Sequence, residues 1–165
     1  MTCKLRSGSI NPDGERGRLY FTVGLPGSGK STLLNNLVRE TTKERPSVII
    51  SGDDLRIALH GSEYIPRAES MMFSVMDITI LALLERGFDV YVDETSTSKP
   101  TLMRYLRLDS EASPIFVNTP KEDCLARRPH LAHVIERLDA RRENVVQNWE
   151  KLKVELLAKI EHRAT

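Results

Sequence analysis

Residues 24–32, GLPGSGKST, combine the residue types that can hold phosphate groups: glycines, one lysine and adjacent hydroxyls. Glycines let the backbone turn so that successive N–H groups face inward and form a concave anion site. Lys30 can reach the β- and γ-phosphates of a nucleotide, and the hydroxyl of Ser31 can join the oxygen ligands of Mg²⁺. The spacing matches GxxxxGK[ST] at every fixed position, which predicts a phosphate-binding loop for ATP. Its predicted members are Gly24, Leu25, Pro26, Gly27, Ser28, Gly29, Lys30, Ser31 and Thr32.

The alternative for this loop is a glycine-rich turn with an exposed lysine. Its position between an apolar, strand-like run and a helical pattern favours the phosphate-binding interpretation.

Acidic residues follow the apolar run SVII at 47–50. A carboxylate from Asp53 or Asp54 at the end of this strand can accept the proton of an attacking hydroxyl, or orient it. Arg56 can bind an anionic group of the substrate. A second interpretation is that Ser51 or Asp53 caps the next helix. The two are compatible, since a capping carboxylate can still face the site.

A second acidic position, Asp93, follows the apolar run at 88–92. An acidic residue at this place beside a phosphate-binding loop often holds Mg²⁺ directly or through water. Ser31 and Asp93 are therefore the predicted metal ligands. The next polar residues are candidate substrate contacts, with a simple polar loop as the alternative: Glu94, Thr95, Ser96 and Ser98.

Two adjacent arginines, Arg127 and Arg128, can close over the triphosphate as a lid and stabilise the transferring charge. The alternative is a solvated helix surface. Further candidates for substrate phosphates are Arg104, Arg107, Arg141 and Arg142. The four histidines and two cysteines lack the spacing of a zinc site, and Cys124 is predicted to be a buried helix residue.

Strand-like and helical runs alternate along the chain, and no internal repeat interrupts them. The predicted strands are 18–23, 47–50, 88–92 and 114–118, and the predicted helices are 30–40, 67–87, 99–110, 120–128 and 132–160. This alternation predicts an α/β fold, with a parallel sheet of about four strands and helices on both faces, as in three-layer P-loop nucleotide kinases. In such sheets ligands bind beyond the carboxyl ends of the strands, where the motifs described above fall.

Length and composition fit one domain. The 165 residues carry a net charge of +1, which gives no support for broad non-specific binding of nucleic acid. We expect a flexible arm at 1–18 and a single domain at 19–165 with a short lid near 128–133. No apolar run reaches the ~18 residues of a membrane span, and no secretory signal begins the chain. These features, with so few cysteines, predict a cytoplasmic protein.

Three segments together resemble the kinase domain of phage-type 5′-polynucleotide kinases and their zeta-toxin-like relatives: GLPGSGKST, GDDLR and VDETSTSKPTLMR. The resemblance implies that Asp53 is the general base on a 5′-hydroxyl and that Arg56 binds the phosphate on the far side of the attacked nucleotide. It also matches Asp93, Thr95 and Arg104, and it implies a lid arginine at Arg127 or Arg128. Ser96 departs from the family, which often has asparagine there.

The predicted function is an ATP- and Mg²⁺-dependent phosphotransferase that acts on the 5′-hydroxyl of DNA or RNA. A GTPase is disfavoured because the chain lacks an Asn-Lys-x-Asp sequence, and motor ATPases are generally larger. SGDDLR is also similar to the DGDNxR of adenylylsulfate kinases, so a nucleoside, sugar or adenylylsulfate-like acceptor stays open. A toxin-like kinase of peptidoglycan sugars and a regulatory module that hydrolyses ATP slowly are the remaining candidates. The sequence gives no oligomeric state.

Overall fold

The computed structural model describes residues 14–162 and places four strands and six helices within that range. The strands are β1 (Leu19–Val23), β2 (Ser47–Ser51), β3 (Asp89–Asp93) and β4 (Ser113–Phe116). The helices are α1 (Lys30–Thr41), α2 (Gly52–His60), α3 (Glu69–Glu85), α4 (Lys99–Leu108), α5 (Lys121–Arg127) and α6 (Ala132–Glu161). Short 3₁₀ turns at Pro66–Ala68 and Pro129–Leu131 precede α3 and α6.

The four strands form one parallel sheet in the order β2-β3-β1-β4. Ser51 pairs with Asp93 at the carboxyl ends of β2 and β3, and Phe21 of β1 pairs with Val92. The phosphate-binding loop, α2 and the segment after Asp93 therefore all begin at the same edge of the sheet. The prediction of a parallel α/β fold with about four strands is confirmed.

Helices cover both faces of the sheet because side chains alternate along each strand. Phe21 points to the face where its ring stacks on Tyr105 of α4 and meets the edge of Trp149 of α6. Tyr20 and Tyr91 stack on each other on the opposite face, and α1 packs against β2 and β3. The largest buried cluster joins the first face to α3, whose inner residues are Met72, Met76, Ile80 and Leu84.

Most predicted boundaries shift by one or two residues, and two of these shifts have a clear local reason. The helix expected at 67–87 begins at Glu69, because Pro66–Ala68 forms a 3₁₀ turn, and it ends at Glu85. Gly87 follows with a φ of 84°, a left-handed conformation that suits the predicted C-terminal glycine. The last strand begins one residue early, at Ser113, and tolerates Pro114 because β4 is the edge strand.

The described end of the predicted arm is tied to the domain. The N–H of Gly17 donates to the carbonyl oxygen of Leu84 at 2.8 Å, and the N–H of Arg18 donates to Asp89 at 2.9 Å. Residues 1–13 of that arm lie outside the described residues. Within 14–162, none of the helices combines the length and the apolar character needed to cross a bilayer.

Candidate active site

The phosphate-binding loop runs from the end of β1 to the start of α1. Gly27 and Gly29 have φ values of 80° and 92°, which L side chains rarely adopt, so the turn depends on glycine at both positions. The ammonium of Lys30 is buried and donates to the carbonyl oxygen of Leu25 at 2.8 Å. Burial lowers the pKa of Lys30, and the nearby charges of Asp93 and Asp53 oppose that shift. The loop therefore contains a desolvated cation that a phosphate oxygen would stabilise.

The segment after β4 supports the loop from the other side. The hydroxyl of Thr119 donates to the carbonyl oxygen of Ser28 at 2.7 Å. Arg127 donates from Nη1 to the carbonyl oxygen of Gly27 at 3.1 Å, and a Cβ placed on Gly27 would lie 2.9 Å from Cγ of Arg128. Both predicted lid arginines thus lie against the phosphate-binding loop. Their roles in charge stabilisation stay predictions.

The two predicted metal ligands lie at the same edge. Asp93 ends β3 and acts electrostatically on Lys30, and Ser31 lies exposed in the first turn of α1. A carboxylate and a hydroxyl are hard oxygen donors, which fits Mg²⁺. Among residues 14–162 no group of three or more histidine, cysteine or acidic side chains could hold a metal ion. This donor set therefore suits an ion whose remaining ligands are nucleotide phosphates and water.

Asp53 lies at the start of α2 and does not cap it. The hydroxyl of Ser51 is the cap, because it accepts a hydrogen bond from the N–H of Asp54 at 3.2 Å. The side chain of Asp53 is 92% exposed, and one oxygen accepts a 2.8 Å hydrogen bond from Nη1 of Arg56. Asp53 is therefore open to an incoming hydroxyl while Arg56 holds its orientation.

The guanidinium of Arg56 is already engaged on its best anion-binding edge. Nε and Nη2 each donate to one carboxylate oxygen of Glu69 at 2.8 Å, a bidentate pair across α2 and α3. The side chains of Arg56 and Glu69 are 14% and 16% exposed. Hydrogen bonding to Arg56 lowers the pKa of Glu69. Arg56, the predicted ligand of an acceptor phosphate, is therefore already paired with the carboxylate of Glu69.

Glu94 is a largely buried carboxylate behind Asp53 and Arg56. Its Oε2 accepts a short hydrogen bond from the hydroxyl of Tyr105, and a Cβ on Gly52 would lie only 2.7 Å from Oε1. Burial raises the pKa of Glu94, and the hydrogen bond from Tyr105 opposes that shift. Glycine at position 52 therefore makes room for this carboxylate at the start of α2.

The other candidate arginines differ in their surroundings. Nε of Arg104 donates to Asp77 at 2.6 Å, and its guanidinium lies 4.5 Å from the centre of the Phe73 ring. Arg142 binds the carbonyl oxygen of Thr119 and the carboxylate of Asp139 at 3.0 and 2.7 Å. Both therefore connect elements of the protein. The last two, Arg107 and Arg141, are exposed.

Three residues of this region belong to no sequence motif that would have identified them: Glu69, Tyr105 and Thr119. Glu69 is 13 residues from Arg56, and only the packing of α3 against α2 joins them. Cys124 is buried, as predicted, and its carbonyl oxygen would lie 3.2 Å from a Cβ on Gly27.

The family model AAA_33, described as an AAA domain, matches residues 19–153. The chain belongs to this P-loop kinase family. The predicted resemblance to a P-loop kinase family is confirmed at the level of the family and its fold. No protein of curated function matches the sequence significantly.

Solved structures support the fold. A chain of the Pnkp1/Rnl/Hen1 RNA repair complex aligns with a TM-score of 0.69 at 23% identity, over 84% of this chain and 48% of that chain. A chain from a second structure of that complex gives 0.61 at 27% identity, over 68% and 39%. The chain spans less than half the length of these RNA repair chains. The Mycobacterium tuberculosis APS kinase CysC, in complex with AMPPNP and APS, gives 0.60 at 22% identity, over 73% of each chain.

Proposed function

We propose that this protein binds ATP and transfers its γ-phosphoryl group to the 5′-hydroxyl of a DNA or RNA end. The observation that carries the proposal is the pair of Asp53 and Arg56 beside the phosphate-binding loop. The carboxylate of Asp53 is 92% exposed, lies 2.8 Å from Nη1 of Arg56 and acts electrostatically on Lys30. These features suit a group that receives the proton of a phosphoryl acceptor. A regulatory ATPase has no need for such a pair.

In the proposed reaction, the residues of the phosphate-binding loop hold the triphosphate and Asp53 receives the acceptor proton. The attacking hydroxyl oxygen forms a bond to the γ-phosphorus while the bond from that phosphorus to the bridging oxygen breaks, so ADP leaves. Lys30 stabilises charge on the transferring group, and Arg127 or Arg128 does so from the lid. Positioning and charge stabilisation supply most of the catalysis in this chemistry.

Mg²⁺ would be held by Ser31 and Asp93. The ion would supply charge neutralisation at the phosphates. Asp93 pairs with Ser51 in the sheet, and Ser51 directly precedes α2, which carries Asp53. The proposed metal ligand and proton acceptor are therefore attached to adjacent strands of one sheet. This arrangement suits an in-line transfer, because both groups keep fixed positions relative to the phosphate-binding loop.

The choice of a polynucleotide acceptor rests on the GDDLR segment and on the similarity to the RNA repair chains. Arg56 would face the phosphate on the far side of the attacked nucleotide. A small acceptor is the second candidate, because the similarity to the adenylylsulfate kinase covers 73% of both chains. In that case the same Asp53 would serve a ribose hydroxyl.

Product analysis with γ-labelled ATP and Mg²⁺ separates these candidates. The acceptors are a 5′-hydroxyl oligonucleotide, adenylylsulfate and a set of nucleosides and sugars, each run beside Lys30→Ala. We expect label on the oligonucleotide with the wild-type protein and none with the variant. Label on adenylylsulfate or another small acceptor alone would favour the second candidate. Release of free phosphate with every acceptor would indicate a regulatory ATPase and contradict the proposal.

A further inference from the structure

We infer that Glu69 is a positioning residue for phosphoryl transfer, and that it acts through Arg56 by fixing the guanidinium that orients Asp53. The inference rests on the proposed function, since it assigns Arg56 and Asp53 to the acceptor side of that site. Glu69 belongs to a different helix from both partners. Its role would therefore make the acceptor site depend on how α3 lies against α2.

The geometry of the three side chains carries the inference. Glu69 receives two parallel hydrogen bonds from Nε and Nη2 of Arg56, both at 2.8 Å. A bidentate pair fixes the plane of the guanidinium, which a single contact cannot do. The remaining nitrogen, Nη1, then donates to Asp53 at 2.8 Å. Asp53 has little other restraint, because its side chain is 92% exposed.

Glu69 also affects how Arg56 can bind an acceptor, through charge and through the N–H groups that it occupies. Arg56 faces three carboxylates, Asp53, Glu69 and Glu94, so its single positive charge is more than balanced before any acceptor arrives. The two hydrogen bonds to Glu69 and the one to Asp53 together use three of the five N–H groups of Arg56. The two N–H groups left over, on Nη1 and Nη2, are those available to an acceptor phosphate. Because Glu69 occupies the edge of the guanidinium formed by Nε and Nη2, an acceptor phosphate would bind at the edge formed by Nη1 and Nη2.

His60 is the neighbouring ionisable group on α2, and its charge also acts on Glu69. Its ring nitrogens form no hydrogen bond within the described part of the chain. The two hydrogen bonds that fix Glu69 both come from Arg56. The coupling to be tested is therefore that of Glu69 with Arg56.

The test is a double-mutant cycle on phosphate transfer, with Glu69→Ala, Arg56→Ala and the double variant. We expect Glu69→Ala to reduce kcat/KM for the acceptor by about tenfold or more, the size typical of strongly coupled neighbours. The same change should have almost no effect in the Arg56→Ala background. Glu69→Gln should fall between Ala and the wild type, because its amide oxygen keeps one acceptor. Glu111→Ala, which breaks an ion pair with Lys153 far from the site, is the matched control and should leave kcat/KM unchanged.

A comparison of two acceptors separates positioning from a general structural role. The acceptors are a nucleoside 3′-phosphate and the same nucleoside without phosphate, both with a free 5′-hydroxyl. If Glu69 acts through Arg56, the Glu69→Ala defect in acceptor KM should be larger for the phosphorylated acceptor. Equal defects for the two acceptors, or an equal loss in the Arg56→Ala background, would overturn the inference.

A measurement without any acceptor keeps the inference testable if the proposed function fails. In ¹⁵N-labelled protein, the Nε–H signal of Arg56 is identified by its loss in Arg56→Ala. We expect slow exchange of this proton with water in the wild type and fast exchange in Glu69→Ala. Fast exchange in the wild type would show that Glu69 does not fix Arg56, whatever the acceptor is. A wild type with slow exchange but no transfer to a 5′-hydroxyl would contradict the proposed function alone.

Discussion

Among the single residues of the site, Asp53 has the most direct part in the proposed transfer. Its carboxylate is exposed and held by Arg56, and it caps no helix, so its removal should cost little stability. We predict that Asp53→Asn binds ATP with near-normal affinity and transfers phosphate at a rate reduced by about 10²-fold or more, the usual contribution of a general base. Single-turnover transfer and equilibrium binding of a fluorescent ATP analogue measure the two quantities separately. Near-normal transfer by Asp53→Asn would remove Asp53 from the mechanism.

Two partly buried carboxylates at the site, Glu94 and Glu69, should respond to pH in opposite directions. Burial raises the pKa of Glu94 in the folded state, so the folded protein binds more protons than the unfolded chain, and Glu94 makes stability fall as pH rises above its ordinary 4.5. Hydrogen bonding to Arg56 lowers the pKa of Glu69, so its contribution is present above 4.5 and is lost as pH falls.

Thermal unfolding of Glu94→Gln and Glu69→Gln between pH 3.5 and 7, about the ordinary glutamate pKa, checks these signs. We expect Glu94→Gln to gain stability relative to the wild type as pH rises. Glu69→Gln should lose stability relative to the wild type over the same interval. Parallel pH profiles for the two variants would contradict the assigned surroundings of at least one carboxylate.

Among the elements, the phosphate-binding loop depends on close contact between Gly27 and the end of α5. A methyl group on Gly27 would meet Cγ of Arg128 at 2.9 Å and the carbonyl oxygen of Cys124 at 3.2 Å, at a φ of 80°. We predict that Gly27→Ala weakens ATP binding by tenfold or more, in keeping with ~1–3 kcal/mol for a strained residue in the left-handed region. Gly61→Ala is the matched control, because it has a φ of 71° and no atom within 4 Å. Equal ATP affinity of Gly27→Ala and the control would contradict the contact.

The sequence predicted the elements better than it predicted their contacts. Alternating strand-like and helical runs lead to the four strands, and the loop at 24–31 lies between β1 and α1 as its spacing requires. The bidentate pair of Arg56 with Glu69 could not be predicted, because it depends on the angle between α2 and α3 and not on spacing along the chain. The burial of Glu94 against Tyr105 likewise depends on how α4 packs on the sheet.

At the scale of the whole molecule, α6 closes the core on one face of the sheet. Trp149 is 8% exposed and meets the ring of Phe21 at 5.6 Å between centroids, so the helix is attached to the strand that leads into the phosphate-binding loop. We predict that Trp149→Ala costs about 3–5 kcal/mol of unfolding free energy, the range for deletion of a large buried ring. Urea denaturation measures the loss. Val154→Ala, on the same helix but 69% exposed, should change stability by less than about 0.5 kcal/mol.

The proposed activity of the molecule is transfer of a phosphoryl group from ATP to a 5′-hydroxyl end. The most direct measurement is transfer from γ-labelled ATP, with Mg²⁺, to a 5′-hydroxyl oligonucleotide, followed by digestion to mononucleotides to locate the label. We expect label in the 5′-terminal nucleotide with the wild-type protein and none with Lys30→Ala. An oligonucleotide that stays unlabelled, with wild-type protein that binds ATP, would show that the protein does not have this activity.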